Sequence, residues 1–143
     1  MRVVLDAPPD VVWADVCDLG SHVEWMADAV AIRFTTARTS GEGAAFECDT
    51  KVGPFRLVDR MVVTSWKPGR EIGVDHRGIV SGSGRFTIEP MRRGRTRFTW
   101  TERLRFPLWL GGPVTAWFAK PVLRRIWRRN LRGLQARLRR SAG

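Results

Sequence analysis

The chain ends in a long helical pattern with one apolar side and one basic side, GPVTAWFAKPVLRRIWRRNLRGLQARLRR (residues 112–140). Pro113 suits the first turn of a helix, because that position needs no N–H donor. Further along, apolar residues recur at every third or fourth position and so share one side of a helix: Leu123, Trp127, Leu131, Leu134 and Leu138. Such a stripe needs a broad apolar partner, and the strand-rich sequence before it is the one candidate.

Pro121 interrupts this pattern. A proline cannot donate a hydrogen bond to the preceding turn and clashes with it, so the sequence predicts a kink or a break here. The apolar residues around it lie on a different side of the helical wheel from the leucines: Val114, Trp117, Phe118 and Val122. We therefore expect a single domain over residues 1–143 whose last part divides into an apolar lid, residues 106–120, and a basic amphipathic helix, residues 121–140.

Basic residues are concentrated at the C-terminal end. The chain has 25 lysines and arginines against 14 acidic residues, and residues 103–143 contain eleven of the former and none of the latter. Such a segment suits an acidic partner, namely anionic lipid, nucleic acid or an acidic protein; a solvated arginine-rich face is the alternative. Nucleic acid is disfavoured, because the arginines lack interleaved exposed aromatic residues and no known reading motif is present.

The two cysteines fit neither a metal site nor a redox motif. Cys17 falls in a predicted helix and Cys48 in a predicted strand, and two reduced, packed thiols are typical of a cytosolic protein. The N-terminus lacks the apolar core of a signal peptide, and the longest nearly apolar run, residues 106–119, is too short to span a bilayer. We expect a cytoplasmic protein, with a peripheral membrane location as the alternative, and neither a metal nor a cofactor.

The body of the chain is predicted to be a short strand, two short helices and six further strands. Ser21 and Glu24 have the spacing of a capping box for the second short helix. From Val30 onward, apolar and polar residues alternate, and short turns rich in proline and glycine separate the runs. Consecutive alternating strands joined by short turns favour an antiparallel sheet with one buried face.

Five short motifs in this order resemble one family. They are APPDVVW (7–13), EWM (24–26), WKPGR (66–70), GRTRFTW (94–100) and NLRGL (130–134). Together they resemble the START-like, birch-pollen-allergen-like superfamily (SRPBCC), in its polyketide cyclase/dehydrase and lipid-transport branch. The resemblance implies an α+β helix-grip fold: a seven-stranded curved antiparallel sheet, two short helices at one end and a long C-terminal helix over a cavity. It also implies binding of an apolar or amphipathic small molecule there, and some members are aromatase/cyclases.

The alternation of the strands predicts which side chains line that cavity. Ordinary core packing is the alternative for each of them. Indole rings suit flat apolar ligands and also membrane interfaces, and the chain has seven tryptophans and no tyrosine. The apolar residues expected to bind the ligand are Trp25, Phe34, Phe46, Ile72, Val74, Phe86, Trp100, Trp117 and Val122.

Two polar residues on the same faces are candidates both for catalysis and for ligand binding. His76 alternates with Ile72 and Val74, and its imidazole could exchange a proton or orient a ligand. A core histidine paired with the backbone is the alternative. Glu102 shares the face of Trp100, where a carboxylate must pair or stay near water. Pairing with an arginine at the cavity mouth is the alternative for this residue, and the preferred one. Two strand spacings of ~4.8 Å separate His76 from Glu102, so we expect roughly 10 Å between them, with ligand or water in the gap.

The strand over residues 55–66 leaves one question open. One alternation turns Asp59 towards the buried face and the other turns Arg60 there, and the sequence does not choose between them.

The preferred function is therefore binding of a hydrophobic or amphipathic small molecule, lipid-like or polyketide-like. Whether the chain also acts as a cyclase or dehydrase stays open, because no committed catalytic set is present. The second hypothesis is a peripheral membrane protein that inserts Trp109, Leu110 and Trp117 and meets anionic headgroups with its arginines. A homodimer stays open as well.

Overall fold

A computed structural model describes residues 1–141 and contains one seven-stranded antiparallel sheet in the order β1-β7-β6-β5-β4-β3-β2. The strands are β1 Arg2–Leu5, β2 Ala29–Phe34, β3 Ala45–Val52, β4 Phe55–Lys67, β5 Glu71–Arg77, β6 Ser81–Met91 and β7 Arg95–Arg105. The helices are α1 Pro9–Val16 and α2 Gly112–Ser141, with 3₁₀ segments at Leu19–Glu24, Arg92–Gly94 and Leu108–Leu110. The predicted helix-grip fold is confirmed.

The face of the sheet that packs against the helices, called the inner face below, carries the predicted alternation. Phe98 and Trp100 of β7 oppose Ile88 and Phe86 of β6, and all four contribute to one apolar core. Asp59 lies on this inner face, in register with buried Cys48. Arg60 points to the outer face, with its Nε 3.5 Å from Glu47 Oε1. The register therefore answers the question that the sequence left open.

The second half of α2 is anchored on the body of the protein. Leu131, Leu134 and Leu138 are buried, as the apolar stripe predicts. Asn130 is fully buried; its Oδ1 accepts the Ala27 N–H at 2.8 Å, and its amide nitrogen lies 2.6 Å from Asp28 Oδ1.

Gly133 brings α2 close to the chain at Trp25. A Cβ at Gly133 would lie 2.4 Å from the Trp25 carbonyl oxygen, so only glycine allows this approach. The NLRGL motif thus contributes buried hydrogen bonds, through Asn130, and one close backbone contact, through Gly133.

Arg137 of α2 links the two short helices. Its Nε lies 2.5 Å from Asp15 Oδ1, and its Nη1 contacts Glu24. The capping box expected between Ser21 and Glu24 is not formed: Ser21 lies inside the 3₁₀ segment and its hydroxyl donates to the Asp18 carbonyl at 2.8 Å. Glu24 is drawn to an arginine that is distant in sequence, which a local motif cannot reveal.

The first half of α2 differs from the second in burial rather than in secondary structure. The helix continues through Pro121, so of the kink or break expected there, the break is absent. Trp117 and Phe118 are 66% and 65% exposed, and Trp109 in the preceding 3₁₀ segment is 74% exposed. Within residues 1–141, no helix is both long and apolar enough to cross a membrane.

Candidate functional site

Three ionisable side chains meet on the inner face of the sheet. His76 on β5 lies between Asp59 on β4 and Glu102 on β7: its Nδ1 is 2.5 Å from Asp59 Oδ2, and its Nε2 is 3.0 Å from Glu102 Oε2. The Trp100 indole N–H donates to Glu102 Oε1 at 2.8 Å and fixes that carboxylate. The side chains of His76 and Glu102 are only 10% and 9% exposed. Asp59, His76 and Glu102 are called the carboxylate–histidine bridge below.

The expected gap of roughly 10 Å between His76 and Glu102 is wrong, and the strand between them explains why. β6 places Gly82 opposite His76 and Gly84 opposite Glu102. A Cβ at Gly84 would lie 2.6 Å from Glu102 Oε1, so the carboxylate occupies the space that any other residue would fill. Because Gly82 and Gly84 leave the inner face of this stretch of β6 without side chains, the two groups lean across the strand and meet. We call the glycine-lined inner face around the bridge the inner groove.

The geometry determines the protonation of the histidine. Each ring nitrogen faces a carboxylate oxygen, and only the doubly protonated imidazolium can donate to both. Burial acts to lower the pKa of His76, but the hydrogen bonds to Asp59 and Glu102 outweigh it and raise that pKa to about 10. A ring with both nitrogens protonated has no lone pair with which to accept a proton. His76 therefore does not fit the role of general base in this arrangement, and the oxygens of the two carboxylates are the acceptors.

The apolar residues predicted to line a cavity are divided by the structure. Trp25, Phe86 and Trp100 pack on one another with ring centroids 5.1–6.3 Å apart, and Trp127 of α2 lies 6.0 Å from Trp100. This aromatic cluster fills the interior beneath the second half of α2. The inner groove, around the carboxylate–histidine bridge, lies beside this aromatic cluster.

A second apolar group lies on the same inner face, towards the β2 end of the sheet. Phe34 and Phe46 are in contact at 5.8 Å between centroids, and Ile72 and Val74 pack in the same group. Trp117 and Val122, which were also expected to line the cavity, are 66% and 49% exposed and belong to the outer surface of α2. An open pocket of about 200 Å³ runs along β2, β3 and β4 and includes none of the predicted ligand-binding residues.

Two buried polar atoms near these residues have no hydrogen-bond partner within the described part of the chain. They are Asp59 Oδ1, in the bridge, and Trp25 Nε1, in the aromatic cluster. Because buried polar atoms are nearly always paired, such atoms are candidates for bonding to a bound molecule.

The other histidine and the buried cysteine are structural. Burial lowers the pKa of His22 to about 4, and one ring nitrogen lies 2.8 Å from the Val16 carbonyl, to which a neutral ring can donate. Burial raises the pKa of Cys48 to about 11, so its thiol stays protonated and is a poor nucleophile.

Sequence reasoning identified His76 and Glu102 but missed their direct contact, and it left Asp59 undecided. Glycine in a strand interior often marks a close approach of other groups. Gly82 and Gly84, on one face of a predicted strand, were therefore the sequence feature that could have predicted the contact between His76 and Glu102.

Comparison with known proteins gives one family and several similar folds. The family model described as "Polyketide cyclase / dehydrase and lipid transport" matches residues 1–143. The Zhui aromatase/cyclase from Streptomyces sp. R1128 is 18% identical with a TM-score of 0.81, over 100% of this chain and 93% of that one. A START superfamily protein from Mycobacterium smegmatis is 14% identical with a TM-score of 0.76, over 98% and 95%.

The di-domain ARO/CYC StfQ from the steffimycin biosynthetic pathway is 14% identical with a TM-score of 0.72. That match covers 99% of this chain and 46% of the di-domain protein. No curated protein matches the chain in sequence. At these identities the likeness to solved structures shows a shared fold alone.

Proposed function

Because the chain belongs to the polyketide cyclase/dehydrase and lipid transport family of the START-like superfamily, we propose that it binds an amphipathic small molecule in the inner groove. The polar group of the ligand meets the carboxylate–histidine bridge, and its apolar body lies along the neighbouring aromatic and aliphatic side chains. The observation that carries this proposal is the bridge itself, a buried ionic cluster on an otherwise apolar face.

The energetics of buried charges support a role in recognition. Removing ions from water is costly, and well-packed apolar residues of the same volume often stabilise a fold as well as a buried ion pair does. A gain in folding stability is therefore a weak explanation for three ionisable groups at one place on the inner face. They are well suited to orient the polar end of a molecule whose remainder is held by apolar contacts.

A cyclase- or dehydrase-like reaction would place the proton-transfer role on a carboxylate. His76 has both nitrogens engaged, whereas Asp59 and Glu102 retain oxygen lone pairs. In such a reaction His76 would hold the two carboxylates in position and balance part of their charge.

The binding proposal is tested with a neutral apolar dye, N-phenyl-1-naphthylamine, whose fluorescence rises in an apolar site. We expect saturable binding to the wild-type protein and its loss in Gly84→Val, whose side chain would displace the Glu102 carboxylate from the bridge. Trp117→Ser/Phe118→Ser, on the exposed part of α2, serves as the matched control for adsorption to the surface and should bind the dye as the wild type does.

Loss of dye binding in the α2 control with retention in Gly84→Val would contradict the proposal. Circular dichroism shows whether each variant is folded. Native mass spectrometry of freshly purified wild-type protein is an independent readout, because a retained molecule has a mass that names its chemical class.

A second candidate function, binding to an anionic membrane surface, is favoured by one exposed face of α2. Residues at steps of four, four, three, four and three lie on the side opposite the buried leucines: Val114, Phe118, Val122, Arg125, Arg129 and Arg132. The three apolar members are 64%, 65% and 49% exposed. The face is thus apolar in the first half of the helix and basic in the second.

This face combines the two features that interfacial helices use. Exposed Trp117 and Phe118 suit the boundary between headgroups and acyl chains, and Trp109 extends the apolar surface beyond the helix. Each arginine near an anionic surface contributes about 1 kcal/mol. Within residues 1–141, Arg137 is the arginine of α2 that forms ion pairs, so the arginines of the exposed face remain available to phosphate groups.

Flotation with phosphatidylglycerol-containing vesicles tests this function. We expect binding at low salt that weakens as salt is added and is lost in Trp117→Ser/Phe118→Ser. Val30→Ser removes a comparably exposed apolar side chain on β2 and should leave flotation unchanged.

Two results would count against the membrane. One is failure to float at low salt. The other is a dimer in light scattering that dissociates in the α2 variant, which would assign the face to a second copy of the chain.

A further inference from the structure

Every hydrogen-bond donor of the carboxylate–histidine bridge is already engaged. The two ring nitrogens of His76 face Asp59 and Glu102, and the Trp100 indole N–H donates to Glu102. What the bridge still offers to another molecule is therefore carboxylate lone pairs. Asp59 Oδ1 is the clearest case, because it is buried and has no partner within residues 1–141. A group that fills this role must donate a hydrogen bond.

The net charge of the bridge also favours a hydrogen-bond donor over an anion. Two carboxylates surround one imidazolium, which leaves one net negative charge in a partly buried place. In the described part of the chain, the ion pairs of Asp59 and Glu102 are made with His76 and with no arginine or lysine. An incoming carboxylate would therefore meet net negative charge at the bridge.

Resting on the proposed binding function, we infer that the inner groove selects ligands whose polar group is a hydrogen-bond donor, above all a phenol or enol hydroxyl, and rejects the corresponding carboxylates. The adjoining cluster of Trp25, Phe86 and Trp100 favours a flat aromatic body. Trp25 Nε1, which has no partner within residues 1–141, is a donor and suits an acceptor oxygen of a ligand. Free fatty acids are therefore poor ligands of this site, although the description of the family includes lipid transport.

Three probes of nearly equal size separate these properties: 2-naphthol donates a hydrogen bond, 2-methoxynaphthalene only accepts one, and 2-naphthoate is an anion. Isothermal titration at pH 7 should give a dissociation constant for 2-naphthol about tenfold lower than for either of the others, the effect of one hydrogen bond to a charged acceptor.

Two variants locate the preference in the bridge. Asp59→Asn and Glu102→Gln each remove a negative charge and introduce a donor. In each variant, the ratio of the dissociation constant of 2-naphthoate to that of 2-naphthol should be several-fold smaller than in the wild type. Asp75→Asn makes the same change on the outer face of β5, next to His76 in sequence, and should preserve the wild-type ratio.

The outcomes separate the inference from the function on which it rests. Equal affinities for the three probes, or tighter binding of 2-naphthoate, would overturn the selectivity and leave the binding function standing. An unchanged ratio in both bridge variants would likewise overturn it. Failure of all three probes to bind would overturn the binding function, and the selectivity with it.

Discussion

At the scale of single residues, glycine rather than a charged group controls the assembly of the site. Glu102 reaches His76 because Gly84 leaves space on the intervening strand. A side chain at that position would force the carboxylate to move, and His76 would lose one of its two acceptors. The chemistry of the bridge thus depends on a residue that contributes no functional group.

We therefore expect Gly84→Ala to lower the free energy of unfolding by about 1–3 kcal/mol, the usual effect of inserting a methyl group into filled space. Urea denaturation measures the change. In a Glu102→Ala background the added methyl group has room, so the same substitution should cost little or stabilise the strand. Equal losses in the two backgrounds would contradict the assigned contact.

The bridge also predicts how stability depends on pH. The folded-state pKa of His76 is raised from the ordinary 6.5 to about 10, so the folded protein holds a proton that the unfolded chain releases. The contribution is complete below about pH 6.5 and is lost as the pH rises towards 10. Between pH 6 and pH 9 we expect this contribution to fall by about 1–3 kcal/mol.

The comparison of wild type with His76→Gln isolates this contribution. Burial also raises the pKa of Cys48, which makes stability fall above about pH 9, so the measurement stops there. His76→Gln should be less stable than the wild type at pH 6 and should show a smaller decline with pH. Parallel stability curves for the two proteins would mean that His76 is not an imidazolium in the folded state.

At the scale of elements, α2 is one helix with two different environments. Its second half is held by Asn130, by the close approach at Gly133 and by buried leucines. Its first half has large apolar side chains in solvent. Pro121 removes one N–H donor between the halves without ending the helix, because an exposed carbonyl there can be satisfied by water.

Gly133→Ala tests the anchor of this helix. Alanine normally favours a helix over glycine by about 1 kcal/mol. Here the added Cβ would collide with the Trp25 carbonyl, so we expect a net loss of about 2–3 kcal/mol in thermal or urea unfolding. Arg132→Ala, on the exposed side one residue earlier, is the control and should change stability by less than about 0.5 kcal/mol. A stabilised Gly133→Ala protein would show that α2 is not pressed against this loop.

At the scale of the whole molecule, regular patterns were predictable from the sequence and close approaches were not. The alternation in β5, β6 and β7 placed Ile72, Phe86 and Phe98 on one face, and the helical spacing buried Leu131 and Leu134. These follow from periods of two and 3.6 residues, which are local properties.

The site depends on contacts between distant parts of the chain. Strand spacing alone separates His76 from Glu102, because it treats side chains as perpendicular to the sheet and ignores the glycines between them. Glu24 was predicted as a local cap but contacts Arg137, which only the assembled fold brings near. Long-range contacts of this kind leave no periodic pattern in the sequence.

The two halves of α2 differ in burial, and hydrogen exchange measures how each half behaves. Amides from Ile126 to Leu138 are protected from exchange by the burial of the leucine stripe. Those from Val114 to Lys120 are protected only by the hydrogen bonds of the helix itself. Because local opening requires little loss of buried surface in the first half, we expect its amides to exchange much faster.

The response to added partners then distinguishes the two proposed functions. Anionic vesicles should slow exchange in the first half of α2 alone, since the exposed apolar side chains would be covered there. A ligand such as 2-naphthol should instead slow exchange in β5, β6 and β7 around His76, Gly84 and Glu102. Uniformly slow exchange from Val114 to Leu138 in the free protein would mean that the helix is held along its whole length, and the lid expected over residues 106–120 would have to be abandoned.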